Sequence, residues 1–114
     1  MKKIKWQYPI TITHFTGDPL PQDENNPLSF ERFILGRIMV EPKFGQSMKN
    51  ILIAVKIKAQ VEKSASNSSD LILEDSDYEA LKEATENPQC GYNPATAHSV
   101  LPFMRAIVDE AETL

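Results

Sequence analysis

The spacing of apolar residues changes period along this chain, and that change fixes the class of fold it can adopt. Ile4, Trp6, Tyr8, Ile10 and Ile12 alternate with Lys5, Gln7, Pro9 and Thr11, the period of two that lays one face of a strand against a core. From residue 29 onward the apolar spacing becomes three and four, the mark of helices buried along one side. A strand followed by helices predicts an α+β protein. With 114 residues, 41% of them hydrophobic, the chain can bury one modest core, so residues 1–114 are expected to form a single domain.

Local signals divide the chain further. Pro9 lacks an amide hydrogen, so the middle of the first strand is expected at an edge or a bulge. Thr16-Gly17-Asp18-Pro19 is turn chemistry that ends the strand near Phe15 and starts a short return at Leu20. Pro21 to Pro27 reads as an acidic loop, the most mobile part of the first half. Ser29 is placed to cap a helix whose inward positions are Phe33, Ile34, the Arg37 stem and Ile38, and Pro42 ends it. Gly45 and Ser47 reset the chain. Met48, Ile51, Leu52, Val55 and Ala59 then form the apolar side of a longer helix reaching about Lys63, with the lysines on its solvated side.

Ser64 to Ser69 reads as a small-polar linker, and Leu71-Ile72-Leu73 as a short strand. Ser76-Asp77-Tyr78-Glu79 has the form of a capping box, with Ser76 as the N-cap of a helix that buries Tyr78, Leu81 and Thr85. Asn87-Pro88 stops that helix. Asn93-Pro94 is another start, leading to a last helix with Ala97, Leu101, Met104, Val108 and Ala111 on one side and a kink or break near His98 to Leu101 imposed by Pro102. The sum is an N-terminal strand or hairpin, a short second strand and about four helices, with no internal repeat.

Charge is segregated. Residues 1–63 carry ten Lys/Arg against six Asp/Glu, whereas residues 64–114 carry two against ten, so a basic subregion adjoins an acidic one and the sign changes at the serine-rich linker. Such asymmetry points to a molecule that meets a protein partner, or a second copy of itself, through complementary surfaces. The candidate contact residues are Lys43, Lys49, Lys56 and Lys58 on the basic side and Asp75, Asp77 and Glu83 on the acidic side. An isoelectric point near 5.1 argues against a general nucleic-acid binder. A nucleic-acid role through the lysines of 43–63 is the second reading, set against the plainer one of a solvated helix face. Trp6 and Tyr8 beside Lys2, Lys3 and Lys5 could stack on single-stranded bases, but the alternation assigns both rings to the core.

No catalytic set assembles from the residues present, and no cofactor is implied. Cys90 lies in an acidic loop that disfavours a thiolate, with His98 the nearest base in sequence. His14 and His98 with Asp18 lack the short paired spacing of a zinc site. Glu74, Asp75, Asp77 and Glu79 lack the glycine and spacing of a calcium loop and suit a helix N-terminus instead. The glycines at 17, 36, 45 and 91 stand singly, so no phosphate loop is present. One cysteine cannot form an internal disulfide. The opening Met-Lys-Lys-Ile-Lys runs into Trp6, Gln7 and Tyr8 rather than an apolar stretch, and the longest apolar run, Ile51 to Val55, is far short of the ~20 residues that span a bilayer. The expectation is a cytoplasmic protein with no membrane association.

Three local patterns, Gly17-Asp18-Pro19-Leu20 after an opening strand, the acidic Ser76-Asp77-Tyr78-Glu79 and the helix start Tyr92-Asn93-Pro94, together resemble small bacteriophage and prophage proteins of unassigned function. The resemblance is one of outline along much of the chain. It implies a viral accessory or assembly protein, cytoplasmic in the host, and carries no active-site residue with it.

Overall fold

The first strand of the chain is the middle strand of its sheet. In the computed structural model, which describes residues 1–17 and 27–114, β1 (Lys2–Ile4) is flanked on one side by β2 (Leu71–Leu73) and on the other by β3 (Glu112–Thr113), both antiparallel to it. Ile4 lies opposite Leu71, Lys2 opposite Leu73, and Lys3 opposite both Ile72 and Glu112. The alternation therefore sends Ile4, Leu71 and Leu73 into the core and leaves Lys3 and Ile72 toward solvent.

The ladder is shorter than the alternation suggested. At Trp6 the amide is taken by the Asp70 carboxylate at 3.1 Å in place of a strand partner, and Pro9 could not donate in any case. Trp6, Ile10 and Ile12 still rest half-buried on the core, while Tyr8 is 89% exposed. Ile10 makes one isolated antiparallel bridge to Leu28, with bonds of 3.0 and 2.8 Å. No local hairpin supplies the partner strands; they come from residues 71–73 and 112–113. The turn at Asp18-Pro19, the return at Leu20 and the loop through Asn26 lie outside the described residues.

Four helices follow. Ser29 Oγ accepts from the Arg32 amide at 3.1 Å and starts α1 (Phe30–Val40), which buries Phe30, Phe33 and Ile34. Pro42 ends it by opening a 3-10 turn, Pro42–Gly45. Ser47 Oγ accepts from the Asn50 amide at 3.1 Å at the head of α2 (Met48–Asn67). This helix absorbs most of the expected linker: Ser64 is buried, donates to the Asp70 carbonyl at 3.2 Å, and the helix closes only at Ser68, whose φ of 50° is left-handed. The face of α2 differs from the expected one. Ile57, Val61 and Ser64 turn inward, and Met48, Ile51, Leu52, Val55 and Ala59 turn outward.

The capping box is also corrected. α3 (Asp75–Glu86) is capped by the backbone of Glu74, without a side-chain bond, so Ser76 falls inside the first turn. The helix starts directly after β2 ends at Leu73, with Glu74 alone between them, and Asp75 and Asp77 supply the negative charge that a helix N-terminus favours. Tyr78, Leu81, Ala84 and Thr85 are buried, and Asn87 closes the helix as its Pro88 neighbour requires. Asn93 Oδ1 accepts from the Ala95 amide at 3.0 Å, which makes a turn there rather than the last helix. A 3-10 turn (Ala97–Val100) precedes α4 (Leu101–Val108). Pro102 thus sits in the first turn of α4, where a missing amide costs nothing, and the expected break falls just before it. The buried face of α4 is Phe103, Ala106 and Ile107, with Met104 and Val108 at its margin and Leu101 exposed.

The core lies between the sheet and the helices, and aromatic rings fill its centre. Phe103 meets Phe30 at 5.0 Å and Phe33 at 5.5 Å between centroids, and Trp6 packs edge-on against Phe30 at 5.1 Å. The Tyr78 hydroxyl donates to the Ile107 carbonyl at 2.8 Å and ties α3 to the end of α4. The described residues form a small α+β fold of four helices and a three-stranded antiparallel sheet.

Candidate functional site

The charged residues singled out above are drawn mostly into pairs within the molecule. Lys56 Nζ lies 2.9 Å from Glu74 Oε2 and 3.2 Å from Asp77 Oδ2, and these hydrogen bonds, that to Glu74 first, raise the ammonium pKa above its usual value. Lys43 pairs with Glu83 at 2.9 Å, Lys58 with Glu62 at 3.0 Å, and Asp75 with the amino group of Met1 at 3.0 Å. Lys49 makes no ion pair among the described residues. Lys43 and Lys56 belong to the basic subregion and Glu83, Glu74 and Asp77 to the acidic one, so the two subregions face each other across α2 and α3. Exposed pairs of this kind contribute little stability individually. Asp77 is the exception in burial, and its buried Oδ1 has no hydrogen-bond partner among the described residues.

The most unusual surface is apolar. Met39 at 84%, Met48 at 77%, and Leu52 and Val55 at 56% each are exposed, with Ile51 close behind, and all but Met39 stand on α2. Its outward ridge has a groove on either flank. One, about 210 Å³, is formed by Leu35, Ile38 and Met39 of α1 with Ile51, Ala54, Val55 and the Lys58 stem of α2. The other, about 500 Å³, runs toward α3 between Met48, Leu52 and Ile53 and the Lys56 and Asp77 pair. α2 carries two apolar stripes on opposite sides, Met48-Leu52-Val55-Ala59 and Ile53-Ile57-Val61, and the core of this domain takes only the second.

The remaining candidates make local contacts. Thr13 Oγ1 lies 3.0 Å from His98 Nε2 and 3.3 Å from Ser99 Oγ, and Ser99 Oγ both accepts from the Thr13 amide at 3.0 Å and donates to its carbonyl at 3.2 Å. The Phe15 ring closes edge-on over His98 at 5.6 Å. This cluster of two hydroxyls and an imidazole fastens the N-terminal segment to the 3-10 turn before α4, and among the described residues no carboxylate bonds to the ring. The exposed Cys90 thiol donates to the Val40 carbonyl at 2.9 Å rather than to an imidazole. His14 Nδ1 bonds to Thr16 Oγ1 at 2.9 Å, and Asp18 is outside the described residues. Among the described residues no three His, Cys, Asp or Glu side chains converge as metal ligands would. Trp6 and Tyr8 do not make a stacking platform together, since Trp6 packs on Phe30 while Tyr8 stands in solvent.

Sequence reasoning missed the outward face of α2 because it took the first apolar stripe for the buried one. The signal was present in the surplus itself: from 48 to 57 seven of ten residues, Met48, Ile51, Leu52, Ile53, Ala54, Val55 and Ile57, are apolar, more than one buried side of a surface helix uses. No helix among the described residues is long and apolar enough to cross a membrane. Compared with protein families, with curated proteins and with solved structures, the chain matches none.

Proposed function

We propose that this chain is a non-catalytic protein-interaction module that docks through the outward face of α2 and the adjoining Met39 edge of α1. The observation that carries this reading is the concentration of bare Met and branched aliphatic side chains on one helix, with a groove on each flank. Contiguous apolar surface of this kind on a small domain is a feature of docking sites. Charge has a lesser part than the sequence suggested, because Lys43, Lys56 and Lys58 already lie beside carboxylates. The same pairing weighs against a nucleic-acid role, which needs cations free to replace counterions on phosphates. The outline resemblance to bacteriophage and prophage proteins suits an accessory or assembly role in a host cytoplasm.

A photoreactive phenylalanine analogue at position 52, compared with one at the exposed position 79 on α3, tests the reading in cells that make the protein. The expected result is one discrete protein adduct from position 52 and none from 79. Absence of an adduct from 52, or the same adducts from both positions, overturns it.

A further inference from the structure

The outward residues of α2 are spaced as a helix seam. Met48, Leu52, Val55 and Ala59 follow the four-three-four interval that keeps one line of side chains facing a second helix, and the stripe ends at Glu62. The geometry points to a second copy of this chain as the occupant, its α2 packed antiparallel on this one about a two-fold axis between Leu52 and Val55. This assignment rests on the docking role proposed above and names its partner.

Three features choose this partner and this direction. The first is self-complementarity. Reversing the helix about that axis sets Met48 against Ala59 of the second copy and Leu52 against Val55, large beside small and branched beside branched, and the pairing repeats by symmetry as a two-fold interface requires. The second is charge. A parallel pair would bring Lys58 of one helix beside Lys63 of the other, two like charges at the margin. The antiparallel pair instead lays the aliphatic Ile51 along the Lys58 stem and brings Lys49, which has no ion pair among the described residues, toward Lys56 of the second copy. That ammonium is already held by Glu74 at 2.9 Å and Asp77 at 3.2 Å. The cluster of one ammonium and two carboxylates therefore presents a net negative charge to the incoming Lys49.

The third feature is area. From their exposures, Met39, Met48, Ile51, Leu52 and Val55 leave bare on the order of 600 Å², the top of the range for the largest apolar patch on a single-chain protein. This is most of the ~800 Å² that each side of a standard interface covers. The apolar stripe from Met48 to Ala59 is about 16 Å long at the helical rise, so Lys49 and the Met39 edge supply the rim.

Sedimentation of the purified full chain across the micromolar range should show a reversible equilibrium between monomer and dimer. Leu52→Glu, at a half-exposed position, should keep its cooperative thermal unfolding and weaken the dimer by at least about 30-fold, as loss of a central interface residue does. Direction is read by cysteine cross-linking in a Cys90→Ser background. Met48→Cys mixed with Ala59→Cys should form a disulfide, whereas Met48→Cys alone should not, its two copies lying about 16 Å apart along the axis, beyond disulfide reach. A strict monomer overturns the second copy as partner. If position 52 then yields an adduct of a different protein, docking stands and self-pairing alone falls; if it yields none, both fall. Self-linking of Met48→Cys overturns the antiparallel direction.

Discussion

Replacing Tyr78 by Phe removes one oxygen from the junction between α3 and α4 and leaves the packed ring in place. The hydroxyl donates to the Ile107 carbonyl at 2.8 Å and lies 3.5 Å from that of Val108. These carbonyls belong to the last turn of α4, where a helix has no internal donor to offer; the helical ladder closes at the Arg105 carbonyl, which accepts from the amides of both Asp109 and Glu110. At 4% exposure, little water can take the hydroxyl's place. The variant should therefore lose more than the ~1 kcal/mol of an ordinary hydrogen bond and approach the 1–3 kcal/mol cost of a buried carbonyl left unsatisfied, about 2 kcal/mol in all.

The same hydroxyl gives the loss a pH dependence. Burial, and then the nearby Glu79 carboxylate, raise the Tyr78 phenol above its ordinary value. The folded protein holds this proton more tightly than the unfolded chain, so the contribution is complete below about pH 10 and is lost as pH rises from there through the raised folded value. Phe has no such proton. Urea titrations followed by Trp6 fluorescence, at one protein concentration, should show the gap between the two proteins widest at neutral pH and narrower above pH 10. A gap under about 0.5 kcal/mol at neutral pH, or one that stays constant through the alkaline range, refutes the reasoning.

The caps separate observed from expected structure: Ser29→Ala should cost about 1 kcal/mol, the usual worth of an N-cap side chain, while Ser76→Ala should change stability little because Ser76 makes no cap bond. Paired denaturant melts decide it, and a larger loss at Ser76 would restore the capping box. Cys90→Ser should stay within about 0.5 kcal/mol of the parent, since the side chain is exposed and a hydroxyl can still donate to the Val40 carbonyl; a large loss in the same melts would show that the thiol is packed.

Much of the fold was legible in local chemistry. Ser29, Pro42, Ser47 and Asn87-Pro88 set the ends of helices in the expected places, because caps and prolines act within a few residues and owe little to tertiary context. Leu71-Ile72-Leu73 was readable as a strand, as was the inward set Tyr78, Leu81 and Thr85. What failed was phase and partnership. Two stripes on α2 have the same period, and only packing against Phe44, α3 and β2 selects the one holding Ile57 and Val61. The alternation from Ile4 to Ile12 reports one apolar face and says nothing about which residues pair with it, so the two-residue β3 left no trace in the sequence. In α4 the phase slipped because its start was put at Pro94 instead of beside Pro102. The docking face was hidden by the same ambiguity: apolar residues meant for a partner and for a core obey one rule of spacing.

The place of β1 in the sheet sets the order in which this protein can fold. It precedes both of its neighbours by a long stretch of chain, β2 lying some seventy residues on and β3 at residues 112–113. α1 and α2 can form and pack while the chain is still being synthesised, but Ile4 has no ladder until Leu71 emerges, and the other edge stays open until Glu112 and Thr113 follow. Pairings of such sequence separation slow folding more than helix formation does. In the interval the nascent chain presents an unpaired strand together with the bare ridge of α2, two adhesive surfaces at once. Rapid closure of β2 onto β1 therefore bears on the yield of this protein as much as on its final stability.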